Sequence, residues 1–509
     1  MMGKRILPRA AWLSGVGLGA FVLGIAPALA APPASLTDAL VDAYYNNPTL
    51  QAQRAALRQA DEEVPAALSG WRPTVTFQGQ FGRNSGVEKY ATTGINPLTG
   101  LPVTQQTRVP ENGTEKIGQI TLSQPIYTGG KVTSQTRQAK NDVYAARAQL
   151  LSQEQTVFAS VEQAYVAVVT DQKLLDLQDN NRQVMRQQLH DTRAQFNLGE
   201  ITMTSVAQAE ASLAQAEQQV SVAKGNLQIA RENFRQLVGD YPAATLAPPQ
   251  PLVLPVESEA QAGAAAVANS PDVIAAEFSD AAAKGSVDVA FAALMPQLSL
   301  QVSAYNQAGS SGQNIFARGA SVLGQLTVPL YQGGQEYSAI RSARAKQQQA
   351  FAAVLVAQRK AYANATQSWE GMTSSRSAIL ASNAQIKANA IALDGTEREE
   401  LGGTLTTLDV LNAQQALLNS QIQQVQNISQ MVNYSYSIAS AIGRLTARDL
   451  DLPVQAYDDQ KYYEAVKFAG FGTGGGADYD AGIAPDGAML NVPPAPAVVP
   501  VSGSGQVTP

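Results

Sequence analysis

The chain has no cysteine, one histidine and few charges for its 509 residues: 35 Lys plus Arg and 41 Asp plus Glu, 15% in all. Without cysteine there are no disulfides, no thiolate zinc sites and no sulfur nucleophile. A single histidine, His190, leaves zinc clusters and triad chemistry without residues to build on. The net charge of −6 gives no basic footprint for a nucleic acid. Beyond the first thirty residues no apolar run reaches the ~18 residues that a membrane-spanning helix needs. Ala, Gln and Ser take the place of the missing charges, so much of the surface is polar but uncharged, or apolar and covered. Core size is not limiting at this length.

What is present begins with an address. Lys4, Arg5 and Arg9 precede an apolar stretch from Ala11 to Ala26, and Ala28-Leu29-Ala30 supplies a small-x-small site. Residues 1–30 therefore read as a secretory signal with a mature start near Ala31. An uncleaved anchor is the alternative, disfavoured by the short core. Cleavage removes three cations and takes the charge from −6 to −9. No cysteine follows the signal, which excludes an amino-terminal lipid anchor.

The chain then repeats itself. Gln124-Pro-Ile-Tyr-Thr-Gly-Gly130 and Val328-Pro-Leu-Tyr-Gln-Gly-Gly334 lie 204 residues apart, and the same shift lays Gly199, Thr202 and Val206 on Gly403, Thr406 and Val410. Upstream the shift is 223, as in Pro48 to Pro271 and Pro73 to Pro296. The 19-residue difference falls in the Gly, Pro, Asn and Thr-rich stretch Gly82 to Glu115, which reads as a surface loop grown in the first copy.

Each copy contains 66 residues of helical pattern, Lys131–Phe196 and Gln335–Glu400, the first free of Pro and Gly and the second interrupted only by Gly371 and Gly395. Val143, Leu150 and Val157 recur every seven residues; so do Tyr144, Leu151, Phe158 and Tyr165, and Val161, Val168 and Leu175. A strict heptad implies left-handed supercoiling, and three rows imply neighbours on both sides. At ~1.5 Å per residue each helix reaches roughly 100 Å. A second helix, Thr202 to about Val238, alternates Val206, Leu213, Val220, Leu227 and Phe234 with Ala209, Ala216, Ala223 and Ala230. With the first helix of the unit, Pro48 to Ser69, it nearly equals the long one in length, so the two could stack end to end.

Each copy also has two period-two segments: Thr74–Phe81 and Gln119–Pro125, then Gln297–Tyr305 and Ser321–Pro329. Their apolar faces (Val75, Phe77 and Phe81, or Leu298, Leu300 and Val302) oppose Gln, Ser and Thr. Strands of ~9–11 residues, greasy outward and polar inward, suit an outer-membrane barrel. A soluble meander with one wet face fits the pattern equally. Trp71, Tyr127 and Tyr331, as interfacial anchors, tilt the balance toward membrane. Four strands cannot close a barrel, for which about eight is the minimum. In lipid the open edges would be stranded, which makes oligomerisation obligatory. Three copies are the smallest number that leaves a passage.

These residues resemble the TolC-type outer-membrane efflux and secretion channels. The resemblance rests on Pro125-Ile-Tyr-Thr-Gly-Gly130 and Pro329-Leu-Tyr-Gln-Gly-Gly334, on the turns Phe196-Asn-Leu-Gly-Glu200 and Leu401-Gly-Gly-Thr404 followed by Asp409-Val-Leu411, and on Asn47-Pro48-Thr-Leu50. It covers roughly Leu36 to Leu452. It implies a mostly α fold with β: a homotrimer whose four strands per subunit make a transmembrane β-barrel, continued by a long coiled-coil α-helical barrel. The implied function is a passive exit duct, without catalysis or cofactor, for small molecules or proteins. Its implied partners are outer-membrane lipid, a periplasmic membrane-fusion adaptor, and an inner-membrane pump or ABC-type secretion transporter.

The resemblance also assigns residues. Asp409 corresponds to an acidic ring at the channel entrance, with Asn412 where some relatives have a second carboxylate. Leu405 stands for a tip arginine, Ser205 for its partner acid and Glu400 for a tyrosine, which puts the closed-state latch of those relatives in doubt. A plainer reading of Asp409 is a helix-start residue beside the positive dipole end. Leu198, Gly199, Thr202, Gly402, Gly403 and Thr406 are the implied adaptor-docking tips. Pro125, Gly129, Gly130, Pro329, Gly333 and Gly334 read as a swivel where strand becomes helix. Gly129-Gly130-Lys131 is not a phosphate loop, because Val132 replaces the required Ser or Thr.

The resulting division is a signal at 1–30, a first repeat at 31–240, a linker or equatorial segment at 241–265 and a second repeat at 266–445. An equatorial carboxy-terminal segment at 446–469 and a Gly, Pro and Ala-biased disordered tail at 470–509 complete it. The rival reading is a soluble periplasmic coiled-coil scaffold.

Overall fold

The computed structural model describes residues 32–310, 313–470 and 472. The signal and nearly all of the tail lie outside the described residues. The elements run α1 (Leu36–Asn46), α2 (Pro48–Asp61), α3 (Glu63–Leu68), β1 (Thr74–Ile95), β2 (Pro102–Tyr127), α4 (Lys131–Leu198) and α5 (Met203–Val238). The second copy follows as α6 (Glu259–Asn269), α7 (Pro271–Ala292), β3 (Gln297–Ser310), β4 (Gln313–Thr327), α8 (Gln335–Leu401) and α9 (Thr407–Ala441), then α10 (Lys461–Val466). The two shifts recur in the element starts: Leu36 to Glu259, Pro48 to Pro271 and Thr74 to Gln297 differ by 223, Lys131 to Gln335 and Met203 to Thr407 by 204. The short helices α1 and α6 carry no heptad pattern and were not foreshadowed.

Asn47 joins two helices. Its Oδ1 accepts from Thr49 N at 2.9 Å, capping α2 ahead of Pro48, while its Nδ2 donates to Leu237 O in the last turn of α5 at 2.9 Å. The two shorter helices thus meet end to end beside α4. In the other copy Val273 of α7 and Ile442 beyond α9 share one buried cluster.

The α4 helix packs along α5, α7 and α9, and α8 packs along α9 and α7. Val143, Leu150 and Val157 are buried, as are Phe158, Tyr165, Val161 and Val168. Tyr144 and Leu151, from the same row as Phe158, are instead 44% and 45% exposed. Tyr165 is buried, and its hydroxyl donates to Ala247 O at 2.7 Å, tying the Pro-rich segment after α5 to the long helix. Ala209, Ala216 and Ala230 are buried along α5, and so allow close helix approach.

The four strands form one antiparallel sheet in the order β1-β2-β3-β4. One expectation fails here: Gly82–Glu115 is not a surface loop. β1 and β2 are 22 and 26 residues long and pair without a break from Thr74↔Ser123 to Ile95↔Pro102. The turn Asn96–Gly100 closes them, with Asn96 Oδ1 accepting from Leu98 N at 2.9 Å. β3 and β4 have 14 and 15 residues. The first hairpin therefore extends well past the second as a two-stranded ribbon. Its Gly, Pro and Asn residues look like loop composition, but a ribbon exposed on both faces tolerates them.

Candidate functional site

The two helical tips are built alike up to one residue. After α4, Gly199 takes φ 81°, its N–H reaches Phe196 O at 2.9 Å, and Glu200 N reaches Gln195 O at 3.0 Å. After α8, Gly402 stays right-handed and Gly403 takes φ 74°, with Gly403 N on Glu400 O at 2.8 Å and Thr404 N on Glu399 O at 3.0 Å. A left-handed residue at a helix end favours glycine because it has no Cβ to clash. Thr202 and Thr406 then enter α5 and α9 with extended backbone.

The difference lies three residues on. Thr406 and Asp409 form a capping box, with Thr406 N and Oγ1 donating to Asp409 Oδ2 at 2.9 and 2.7 Å. Those bonds hold the Asp409 carboxyl below the usual carboxylate range. The corresponding residue of the first tip is Ser205, 204 positions earlier, and Thr202 makes no side-chain cap. Asp409 thus is a helix-start residue, as the plainer reading had it, and is also ionised and partly exposed.

Asn412 is exposed one turn further, while Glu400, Leu405 and Ser205 are half-buried. Among the described residues no hydrogen bond or ion pair joins Asp409 to Ser205, Glu400 or Asn412. Leu198 and Leu401 are 76% and 82% exposed, so each tip ends in an unpartnered leucine. Above the tips α9 is seated on the α4–α5 pair: Leu411 shares a cluster with Met185 and Ala216.

At the other end of the long helices, Gly129 and Gly130 (φ 65° and 84°) precede α4, and Gly333 and Gly334 (φ 70° and 87°) precede α8. Pro125 lies inside β2 where the register with β3 shifts. Pro329 follows the end of β4. The two joints are not equally free. A Cβ on Gly129 would stand 2.5 Å from Met295 Cβ and 3.0 Å from Ala292 O, whereas one on Gly333 would meet nothing within 4 Å. Trp71, Tyr127, Leu330 and Tyr331 are exposed at this level. Arg72 donates to Phe468 O and Ala469 O, so the carboxy-terminal segment climbs to the base of the sheet.

Among the described residues two acids bury both carboxylate oxygens without a hydrogen-bond partner, and sequence reasoning passed over both. Glu162 on α4 is 1% exposed and neither carboxylate oxygen has a hydrogen-bond partner; burial pushes its pKa up to about 8. Asp61 on α2 is likewise buried and unpartnered, and burial raises it to about 6 despite the nearby Arg147. The available signal for Glu162 was a lone acid in the Val-rich stretch Val161 to Val169.

The whole arrangement has known counterparts. Residues 39–240 and 263–444 match the family described as outer membrane efflux protein. The chain belongs to that family. It is 32% identical over 439 residues to the outer membrane efflux protein BepC of Brucella suis, covering 86% of this chain and 91% of the relative. It is 25% identical to the outer membrane protein TolC of Escherichia coli, covering 82% and 83%. Among solved structures, the outer membrane protein VceC of Vibrio cholerae superposes with a TM-score of 0.68 at 20% identity, covering 80% of this chain and 96% of that one. The CmeC outer membrane channel of Campylobacter jejuni gives 0.69 at 17%, covering 85% and 89%. This efflux protein is a component of the Gram-negative outer membrane that reaches into the periplasm, and it has the mixed strand and helical-barrel fold of its family. The family is one of channels, not a class of enzymes.

Proposed function

We propose that three copies of this efflux protein close into a passive exit duct. A periplasmic adaptor would dock at the tips around Leu198, Gly199, Thr202, Gly402, Gly403 and Thr406, and an inner-membrane pump or ABC-type transporter would supply the cargo. The observation that carries this reading is an unfinished repeat. Within the chain α4 of the first copy packs on α7 and α9 of the second, and β2 pairs with β3. The equivalent partners for α8 are α2 and α5, and for β4 the partner is β1. Among the described residues α8 packs along neither helix, and β1 and β4 remain the sheet edges. A head-to-tail contact of this kind must close into a ring or run on as a filament. Three copies give twelve strands, within the range of membrane barrels that hold a passage.

One feature of the sheet supports the membrane over the soluble scaffold. Val75, Phe77 and Phe81 lie on one sheet face with 65%, 72% and 76% of their surface bare, and the opposite face is Thr and Gln. Such an apolar face, in water, would aggregate. At the entrance, Asp409 would form one ring of three carboxylates, because Asn412 removes the second.

The repeat supplies its own test. Shifting the Leu411–Met185 neighbourhood by 204 residues each way places Ala207 of one copy near Asn389 of the next. Cysteines are unique wherever introduced in this chain. Ala207→Cys with Asn389→Cys should yield covalent dimers and trimers with a short bis-maleimide in outer-membrane fractions, and each single variant none. A double variant that stays monomeric there would refute ring closure.

A further inference from the structure

The long hairpin gathers its basic residues on one face. β1 and β2 hold four basic residues, Arg83, Lys89, Arg108 and Lys116, and the register puts all four on one face: Lys89 opposes Arg108, Arg83 opposes Thr114, and Lys116 opposes Phe81. All four are exposed. Glu115, opposite Gly82, stands on a rung of the opposite parity. The basic face is the same face that carries Val75, Phe77, Phe81 and Ile120 lower down, which is the lipid side of the sheet.

Distance sets what these cations meet. An apolar band of ~25 Å crossed by strands tilted ~40° takes about ten residues. Counted from Thr74, it ends near Arg83 and Lys116, whose ammonium lies 5.8 Å from the centre of the Phe81 ring. Lys89 and Arg108 stand six rungs above Arg83 and eight above Lys116, about 20–27 Å further along the strand at ~3.4 Å per residue. Lys89 directly faces Arg108, and like charges in register destabilise a strand pair. An external anion relieves that cost.

We propose that the outward face of this ribbon binds phosphorylated glycolipid of the outer leaflet, with Arg83 and Lys116 at the innermost phosphates and Lys89 with Arg108 at phosphates further out. A glycerophospholipid surface presents its charge in one plane. The spread of these cations in depth instead fits a lipid whose phosphates are distributed along a sugar core. The inference rests on the outer-membrane duct reading, since it needs the hairpin tip on the outside.

Binding of the purified full-length protein to immobilised lipopolysaccharide tests it, with dephosphorylated lipopolysaccharide and phosphatidylglycerol vesicles as competitors. Replacing all four cations by Ser should weaken binding at least about tenfold, given several-fold per cation at an anionic surface. Arg83→Lys with Arg108→Lys should bind as before, because Lys serves phosphate as a point charge. On the unaltered protein, only phosphorylated lipopolysaccharide should compete, so the outcome does not depend on the variant folding. Equal competition by phosphatidylglycerol or by the dephosphorylated form overturns the proposal, as does undiminished binding by an assembled four-Ser variant. Failure of the trimer itself is seen separately, in the cross-linking above.

Discussion

Thr406 and Asp409 hold each other: the threonine gives both its N–H and its hydroxyl to one carboxylate oxygen, at 2.9 and 2.7 Å. The same acid starts α9 and stays charged. Asp409→Asn keeps an oxygen for the cap and removes the charge, so α9 should form while cation preference falls. Single-channel recordings in planar bilayers measure this; unchanged selectivity would remove Asp409 from the entrance. The pH dependence has a definite sign. Because the folded carboxyl is held below its ordinary value, the stabilisation it gives is full above that ordinary value and is lost as pH falls through the folded one. Thr406→Ala removes the hydroxyl and should raise the pH at which acid abolishes cation preference.

The architecture was legible in the sequence where physics imposes a period. The heptads of α4, the unbroken helical run of α8, the alternation at Thr74–Phe81 and Gln297–Tyr305, and the 204-residue echo of Pro-x-Tyr-x-Gly-Gly all survive as elements. The ribbon at Gly82–Glu115 was not legible, because its glycines and prolines carry the signature of a turn and no core forces an alternation on it. The capping partner of Asp409 was legible but went unread, since Thr406-x-x-Asp409 is itself the pattern of a capping box. Glu162 was hidden because heptads reveal who is buried only when the residue is apolar.

Glu162 gives a second prediction. Its folded pKa, about 8, lies above the ordinary 4.5, so the folded state keeps a proton that the unfolded state releases. Stability should therefore decline as pH rises from about 4.5 to about 8 and level off beyond. Glu162→Gln cannot ionise and should be as heat-stable as the parent near pH 5 but more so near pH 9, where the parent buries an unpartnered charge beside Tyr436. Parallel melting curves at both ends would refute a buried, protonated Glu162.

The strand–helix joints should respond unequally to the same change. Gly129→Ala combines a left-handed backbone with a collision against Met295 and Ala292, and should cost about 1–3 kcal/mol. Gly333→Ala meets only the backbone term, about 1 kcal/mol. Heat-resistance of the assembled protein on unboiled gels ranks the two. Equal loss would mean that the close packing at Gly129 does not matter to the joint.

The ribbon should be separable from the barrel. β2 pairs with β3 only from Lys116↔Ala308 downward, so among the described residues fourteen rungs of the first hairpin, Gly82↔Glu115 to Ile95↔Pro102, pair with no strand of the second. Deleting Gly86–Ile95 together with Pro102–Glu111 lowers the Asn96–Leu101 turn by ten rungs. Because ten is even, every remaining side chain keeps its face, and Thr74↔Ser123 through Ser85↔Asn112 stay in register. The shortened protein should still assemble in the outer membrane and conduct, while losing the Lys89–Arg108 rung. Trimers extracted by detergent with parental conductance would support this. A variant that no longer assembles would mean that the upper rungs hold the subunits together, and the barrel would then extend beyond the lipid.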